Sequence, residues 1–340
     1  MYPVIRLVPI LVAALFMVAP SASSADIFGD RQEFIPRELD AMYVKGLLFL
    51  VKHQSEDGTF NAPGSRSDHY GKQPGVVGLA VVAMLAHGDD PNRGPFAEAI
   101  RRGLNMILKN QNKSTGYIGS SMYNHGFATL ALAEAYGQVN DKRLGVALKK
   151  ATDLILNAQK RSRMSAWRYS PESSDGDTTV SGAQLVALFA ARNAGLGVSQ
   201  KSIDDALKFF IACQGADGGI GYTSAGSGNG PRTAIGALMF ALAKRKESRQ
   251  FKNAMEFVRG KGADGGYSHY YHYFLYYASQ AYFHAGPQDW RDWNAENIKR
   301  LKETQMENGG WSGNFGASFS TASCLLSMAL NYRYLPIYER

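Results

Sequence analysis

The chain has 340 residues, 45% of them hydrophobic, and carries a formal net charge of +8 at pH 7; that is enough apolar material for one large domain or two ordinary ones. The basic residues are scattered, at 149–150, 161–163 and 244–249, with no aromatic-and-basic stripe, and this excludes a nucleic-acid partner. Two cysteines, Cys213 and Cys324, in apolar helical contexts exclude a disulfide framework and read as buried thiols.

The chain opens with MYPVIR, the apolar run LVPILVAALFMVA and then PSASSA. One basic residue, a short apolar core and a small-residue end are the parts of a secretory signal peptide, residues 1–25, cut near Ala25. An uncleaved N-terminal anchor is the alternative. Cleavage removes Arg6 and no acid, so the net charge falls from +8 to +7. No later segment reaches membrane-spanning length without charges, so the expectation is a periplasmic or secreted protein with no stable membrane span.

From residue 26 onward the chain reads as one domain in which two kinds of helix alternate. PRELDAMYVKGLLFLVKHQ, PFAEAIRRGLNMILKNQ, RLGVALKKATDLILNAQ, VSQKSIDDALKFFIACQ, SRQFKNAMEFVRGK and DWNAENIKRLKETQ are amphipathic. In the third, Leu144, Ala147, Leu148, Ala151, Leu154 and Ile155 make one dry stripe, so such helices belong on an outer surface. GVVGLAVVAMLAHG, GFATLALAEAYG, SGAQLVALFAARNAG, TAIGALMFALAKR, YHYFLYYASQAYFHAG and STASCLLSMALNY are small and apolar nearly all round, as buried helices are. The unit is roughly fifty residues, a period typical of repeat architectures. An open solenoid needs polar capping repeats, and none is present. The predicted fold is therefore all-α, an α/α toroid of six inner and six outer helices.

Five of the six outer helices run into a recurring loop: QSEDGTF from Gln54, QNKSTGY from Gln111, QGADGGIGY from Gln214, KGADGGY from Lys261 and QMENGGW from Gln305. Gly supplies a positive φ, Asp or Asn bonds the local backbone, and an aromatic six residues on (Phe60, Tyr117, Tyr267, Trp311) packs down beside its neighbour. A motif repeated around a ring is a structural clasp rather than a phosphate cradle.

These loops resemble the QW repeat of the prenyltransferase and squalene-oxidase superfamily, most clearly QMENGGW, and the likeness spans nearly all of the chain after residue 25. MYNHGFATLALAEAYG, DTTVSGAQLVALFAARNAGL and YRYLPIY resemble secreted bacterial members of unassigned activity. The resemblance implies the toroid and says little about chemistry. The zinc site of protein prenyltransferases needs Asp-x-Cys, and DGDTTVSGAQ has no Cys near it, so a zinc prenyltransferase is not expected. Class II terpene cyclases carry D-x-D-D-T-A; here Asp175 and Asp177 match the first two acids and Thr178 stands in place of the third. The resemblance would make Asp177 the general acid. The alternative for SSDGDTT is a helix start, with acids at the positive end of the dipole.

In such a ring all inner helices run the same way, so their N-termini meet at one mouth. Tyr123, Asn124, His125, Asp175, Asp177, Arg232, Thr233, His269, Tyr270, His272, Ser320 and Thr321 are expected there. Catalytic candidates are Asp177, with Asp175 and His125; ligand-binding candidates are Tyr123, Asn124, Arg232, His269, Tyr270, His272 and Thr321. No cofactor is expected, although His269 and His272, at i, i+3, could hold a divalent metal with Asp177 or His125. Three readings follow. The first is an isoprenoid-like ligand in an aromatic-lined cavity, bound or cyclised. The second is a carbohydrate-active toroid in which Tyr123, Asn124, His125 and Arg232 handle a uronate. The third is a protein-interaction module, without the Gly-Cys-Gly-Glu-Gln of a thioester domain.

Overall fold

The computed structural model describes residues 35–63, 68–261 and 268–338. The expected signal peptide, and the Asp264, Gly265 and Tyr267 positions of the Lys261 loop, lie outside the described residues. Twelve α-helices are present among them and no strand. The outer helices are α1 (Arg37–Lys52), α3 (Ala97–Lys109), α5 (Arg143–Arg161), α7 (Gln200–Ala212), α9 (Arg249–Lys261) and α11 (Pro287–Thr304). The inner helices are α2 (Pro74–His87), α4 (Met122–Ala135), α6 (Thr178–Asn193), α8 (Gly230–Leu242), α10 (Tyr271–Ala285) and α12 (Ala317–Ala329). Each inner helix packs on the next, and α12 packs back on α2, which closes the ring. The fold is an all-α toroid.

Burial follows the two helix types. Every residue of α2 from Pro74 to Ala86 is buried, whereas α5 buries the Leu144–Ile155 stripe and leaves its lysines in water. Small residues let the inner helices approach closely: a Cβ on Gly126 would lie 2.6 Å from Gln184 Nε2. Cys213 and Cys324 are buried and free. No helix of the described residues is long and apolar enough to cross a membrane.

The clasp works across helices. Gln111 Nε2 donates to Gly116 O in its own loop at 3.1 Å and to Ala147 O of the next outer helix at 2.9 Å. Gln54, Gln159 and Gln214 repeat this pair of bonds, to Ala99, Ser202 and Gln250 of the next outer helix. Gln305 joins the last outer helix to the first through Met42 O at 2.9 Å. The buried residue that follows need not be aromatic. Gln111 pairs with Ile118 and Gln214 with Ile220, and both isoleucines are fully buried. The Gln111 loop is one residue longer than QSEDGTF, so Ile118 takes the place expected of Tyr117, which is only partly buried.

Candidate functional site

The same repeat places the side chains at the start of each inner helix. Ser121, Asp177 and Asn229 are the N-caps of α4, α6 and α8, each accepting from its helix's first backbone N–H groups. Four residues on, His125, Ser181 and Thr233, with Thr321 at the matching place in α12, each accept the N–H of the buried clasp residue, Ile118, Trp167, Ile220 and Trp311. These two positions face the wall. Two residues after each cap, Tyr123, Thr179 and Pro231 face inward, and Phe319 of α12 joins them.

Those inward residues line a cavity of about 630 Å³ at the N-terminal ends of the inner helices. Its wall includes Leu79 of α2, Phe127 of α4, Arg232 of α8, Tyr273 of α10 and Phe319 of α12, with Tyr70, Tyr169, Tyr222 and Phe315 from the loops. No carboxylate is among its described lining residues. Tyr169 and Tyr222 share a hydroxyl–hydroxyl bond of 2.7 Å. The Arg168 guanidinium lies over both rings, at 5.6 and 5.3 Å.

Of the residues expected at the mouth, Tyr123, Asn124, Arg232 and Tyr270 line this cavity. Asp177, Asp175, His125, His269, His272 and Thr321 do not. His125 is fully buried behind it, its Nε2 bonded to Ala151 O at 3.0 Å, and burial pulls its pKa down to about 4. Thr321 is likewise fully buried at the equivalent clasp position. His269 is exposed, its ring against Phe315 at 5.4 Å. His272 packs beside Gly313, and burial takes its pKa to about 4. Asp175 is exposed and pairs with Arg168 at 3.2 Å. Among the described residues no cluster of His, Cys, Asp or Glu is placed to hold a metal, so His269, His272 and Asp177 do not form the suggested site.

Asp177 has no exposed surface. Its Oδ1 accepts from Thr179 N at 2.9 Å, Val180 N at 2.8 Å and Thr179 Oγ1 at 2.6 Å, while Oδ2 lies 3.7 Å from Arg168 Nε. Burial raises its pKa against the pull of these bonds and of Arg168. Neutral residues do the same capping in the neighbouring repeats, so the helix-start reading describes its position. Asp177→Ala is expected to cost about 1–2 kcal/mol in denaturant unfolding and Asp177→Asn less, because Asn keeps the capping oxygen. Equal losses would mean that the carboxylate charge matters more than the cap.

Sequence reasoning missed Thr179, Phe127, Phe319 and the loop aromatics Tyr70, Tyr169, Tyr222 and Phe315. The usable signal was the inward position two residues after each cap.

Residues 60–318 match the family model described as "Domain of unknown function (DUF6288)". The chain belongs to that family. No curated protein matches it. Among solved structures, the DUF6288 chain is similar to an inactive variant of the α-1,6-mannanase GH76A of Salegentibacter sp. HEL1_6 in complex with α-1,6-mannotetrose. Identity is 9%, over 87% of this chain and 99% of that one, with a TM-score of 0.66. It is also similar to a family 76 glycoside hydrolase from a bovine Bacteroides thetaiotaomicron strain, at 12% identity, 87% and 78% coverage and a TM-score of 0.65. A variant of the type II terpene cyclase MstE from Scytonema, in complex with its substrate geranylgeranyl dihydroxybenzoate, matches at 15% identity, 88% and 99% coverage and a TM-score of 0.57. At these identities the likeness speaks for the toroid fold alone.

Proposed function

We propose that this protein binds an uncharged, largely apolar ligand of the isoprenoid kind at the mouth of the toroid. The observation that carries the reading is an aromatic-lined cavity whose charges are already committed. Helix N-termini attract anions through free N–H groups, but at five of the six inner helices here the chain's own side chains take them, and α10 has no side-chain cap among the described residues. Asn124 Oδ1 accepts from Gly75 N of α2 at 3.2 Å, and Asp68 Oδ1 from Ser318 N of α12 at 3.3 Å. Ser121, Asp177 and Asn229 serve α4, α6 and α8. The cation on the lining, Arg232, donates to the carbonyls of Ile220 and Ser227. A diphosphate would find little to hold it. Apolar chains would find Leu79, Val76, Phe127 and Phe319, at a volume in the range of small-molecule sites.

Asp177 touches the cavity only through Thr179 and Tyr123, so the reading is of binding, with no proton delivery assigned. A carbohydrate is the second reading, favoured by the exposed rings of Tyr169 and Tyr270 at the rim. Hydrolysis would need two carboxylates about 5–9.5 Å apart facing the sugar, and the described lining has none. Native mass spectrometry of the protein purified from its own cells tests both. A retained neutral lipid, lost in Val76→Trp, which fills the cavity, is the expected result. A retained oligosaccharide would move the assignment to the second reading, and an empty cavity with a bound protein would overturn both.

A further inference from the structure

The hydrogen bonds behind the cavity wall run in a fixed direction, and that direction selects the ligand's polar end. Asp177 Oδ1 already accepts two backbone N–H groups, so it must also accept from Thr179 Oγ1, 2.6 Å away. Thr179 has one hydroxyl proton, and it is spent there. Tyr123 Oη, bonded to Thr179 Oγ1, is therefore the donor in that bond. Its proton points into the wall, and among the described residues no group donates back to Tyr123 Oη. Tyr273, edge-to-face with Tyr123 at 6.5 Å, also directs its O–H away from the cavity, toward Thr179 O at 3.4 Å. Both tyrosines line the cavity, and both offer it lone pairs only.

The nearby amide is fixed the opposite way. Asn124 Oδ1 takes the Gly75 N–H at 3.2 Å, which orients the side chain and leaves its N–H₂ donors without a protein acceptor among the described residues. A hydroxyl can donate to a tyrosine oxygen and accept from an amide, whereas a carbonyl can only accept. A hydrocarbon does neither and leaves the polar atoms unpaired.

We infer that the ligand is an isoprenoid-type alcohol whose O–H donates to Tyr123, a polarity imposed by the Tyr123–Thr179–Asp177 chain. This rests on the reading of the mouth as an apolar binding site and adds the identity of the polar end.

The test is a fluorescence titration of the full-length protein with three probes of matched length: farnesol, farnesal and farnesene. Farnesol is expected to bind roughly threefold to tenfold more tightly than farnesal, the worth of one net hydrogen bond, and farnesene more weakly than either. Tyr123→Phe should bring farnesol down to the level of farnesal and leave farnesal and farnesene unchanged. Thr179→Val keeps the shape and the backbone cap but removes the acceptor that holds the Tyr123 proton. That proton is then free to donate, and farnesal should gain several-fold on farnesol. If farnesal binds the wild type as well as farnesol, or Thr179→Val leaves their ratio unchanged, the inference is overturned while the apolar site stands. If none of the three binds, the site reading itself falls. A thermal melt of each variant separates lost folding from lost binding.

Discussion

Glu134→Gln is expected to abolish a loss of stability that the wild-type chain suffers between pH 6.5 and pH 8. Glu134 sits in the last turn of α4, on the helical face that carries Tyr123 and Phe127 higher up, and is buried with Oε2 unpartnered among the described residues. Burial pushes its pKa up to about 8 from the usual 4.5. Between those two values the folded state holds one proton more than the unfolded state. Stability therefore falls as pH rises through that window, by about 1.4 kcal/mol per pH unit. His125 and His272 act in the opposite sense lower down. Both are neutral in the fold down to about pH 4, while the unfolded chain protonates them near 6.5, so each adds stability as pH rises to 6.5. Above 6.5 their contribution levels off within about one pH unit, and Glu134 is the larger effect. Urea midpoints at pH 6.5, 7 and 8 should fall by an amount equivalent to about 1 kcal/mol in the wild type. In Glu134→Gln, which keeps the volume and cannot ionise, they should not fall and should rise slightly as the two histidines finish titrating in the unfolded chain. Parallel curves for the two proteins would show that Glu134 is solvated or ionised in the fold.

The second large effect is expected at the seam of the ring. Gly309 adopts φ +96°, and a Cβ there would lie 2.4 Å from the carbonyl oxygen of Lys45 on α1. Gly58, Gly116 and Gly218 meet the next outer helix in the same way, at Arg102, Lys150 and Asn253. Gly309 differs because α11 and α1 are not consecutive in the chain, so no short connection holds them together if the clasp loosens. Gly309→Ala combines a left-handed backbone with a main-chain clash and is expected to cost about 3 kcal/mol or more. Gly137→Ala is the control: its φ is +86°, but a Cβ there meets nothing within 4 Å. It should cost only about 1 kcal/mol, the strain of the backbone alone. Equal losses for the two would mean that the loop moves away from Lys45 freely and that the clasp does not hold the seam.

The sequence alone was sufficient for the fold because the signals that specify it are local and periodic. Helices apolar on all sides alternate with helices apolar on one side, and the Gln-to-Gly loops recur between them, so burial and turn chemistry could be read without coordinates. Even there the pattern misled at Tyr117, where one extra loop residue hands the buried place to Ile118. The mouth was legible as a region because all inner helices share a direction, and Tyr123, Asn124, Arg232 and Tyr270 do line it.

What sequence could not separate was the three fates open to a polar residue at a helix start. Capping, accepting the clasp N–H and facing the cavity fall on positions only a few residues apart, and a rotation of about 100° per residue decides among them. His125 and Thr321 look like site residues in a list, yet each accepts a backbone proton inside the wall. Asp177 looks like an acid beside a cavity, yet its oxygen is taken up by the start of α6. Tyr169, Tyr222 and Phe315 arrive from loops whose path is set by closure of the ring. Composition and periodicity determined that there would be a toroid and a mouth. The tertiary structure decided which atoms face that mouth, because facing is a property of helix rotation and loop path rather than of residue type.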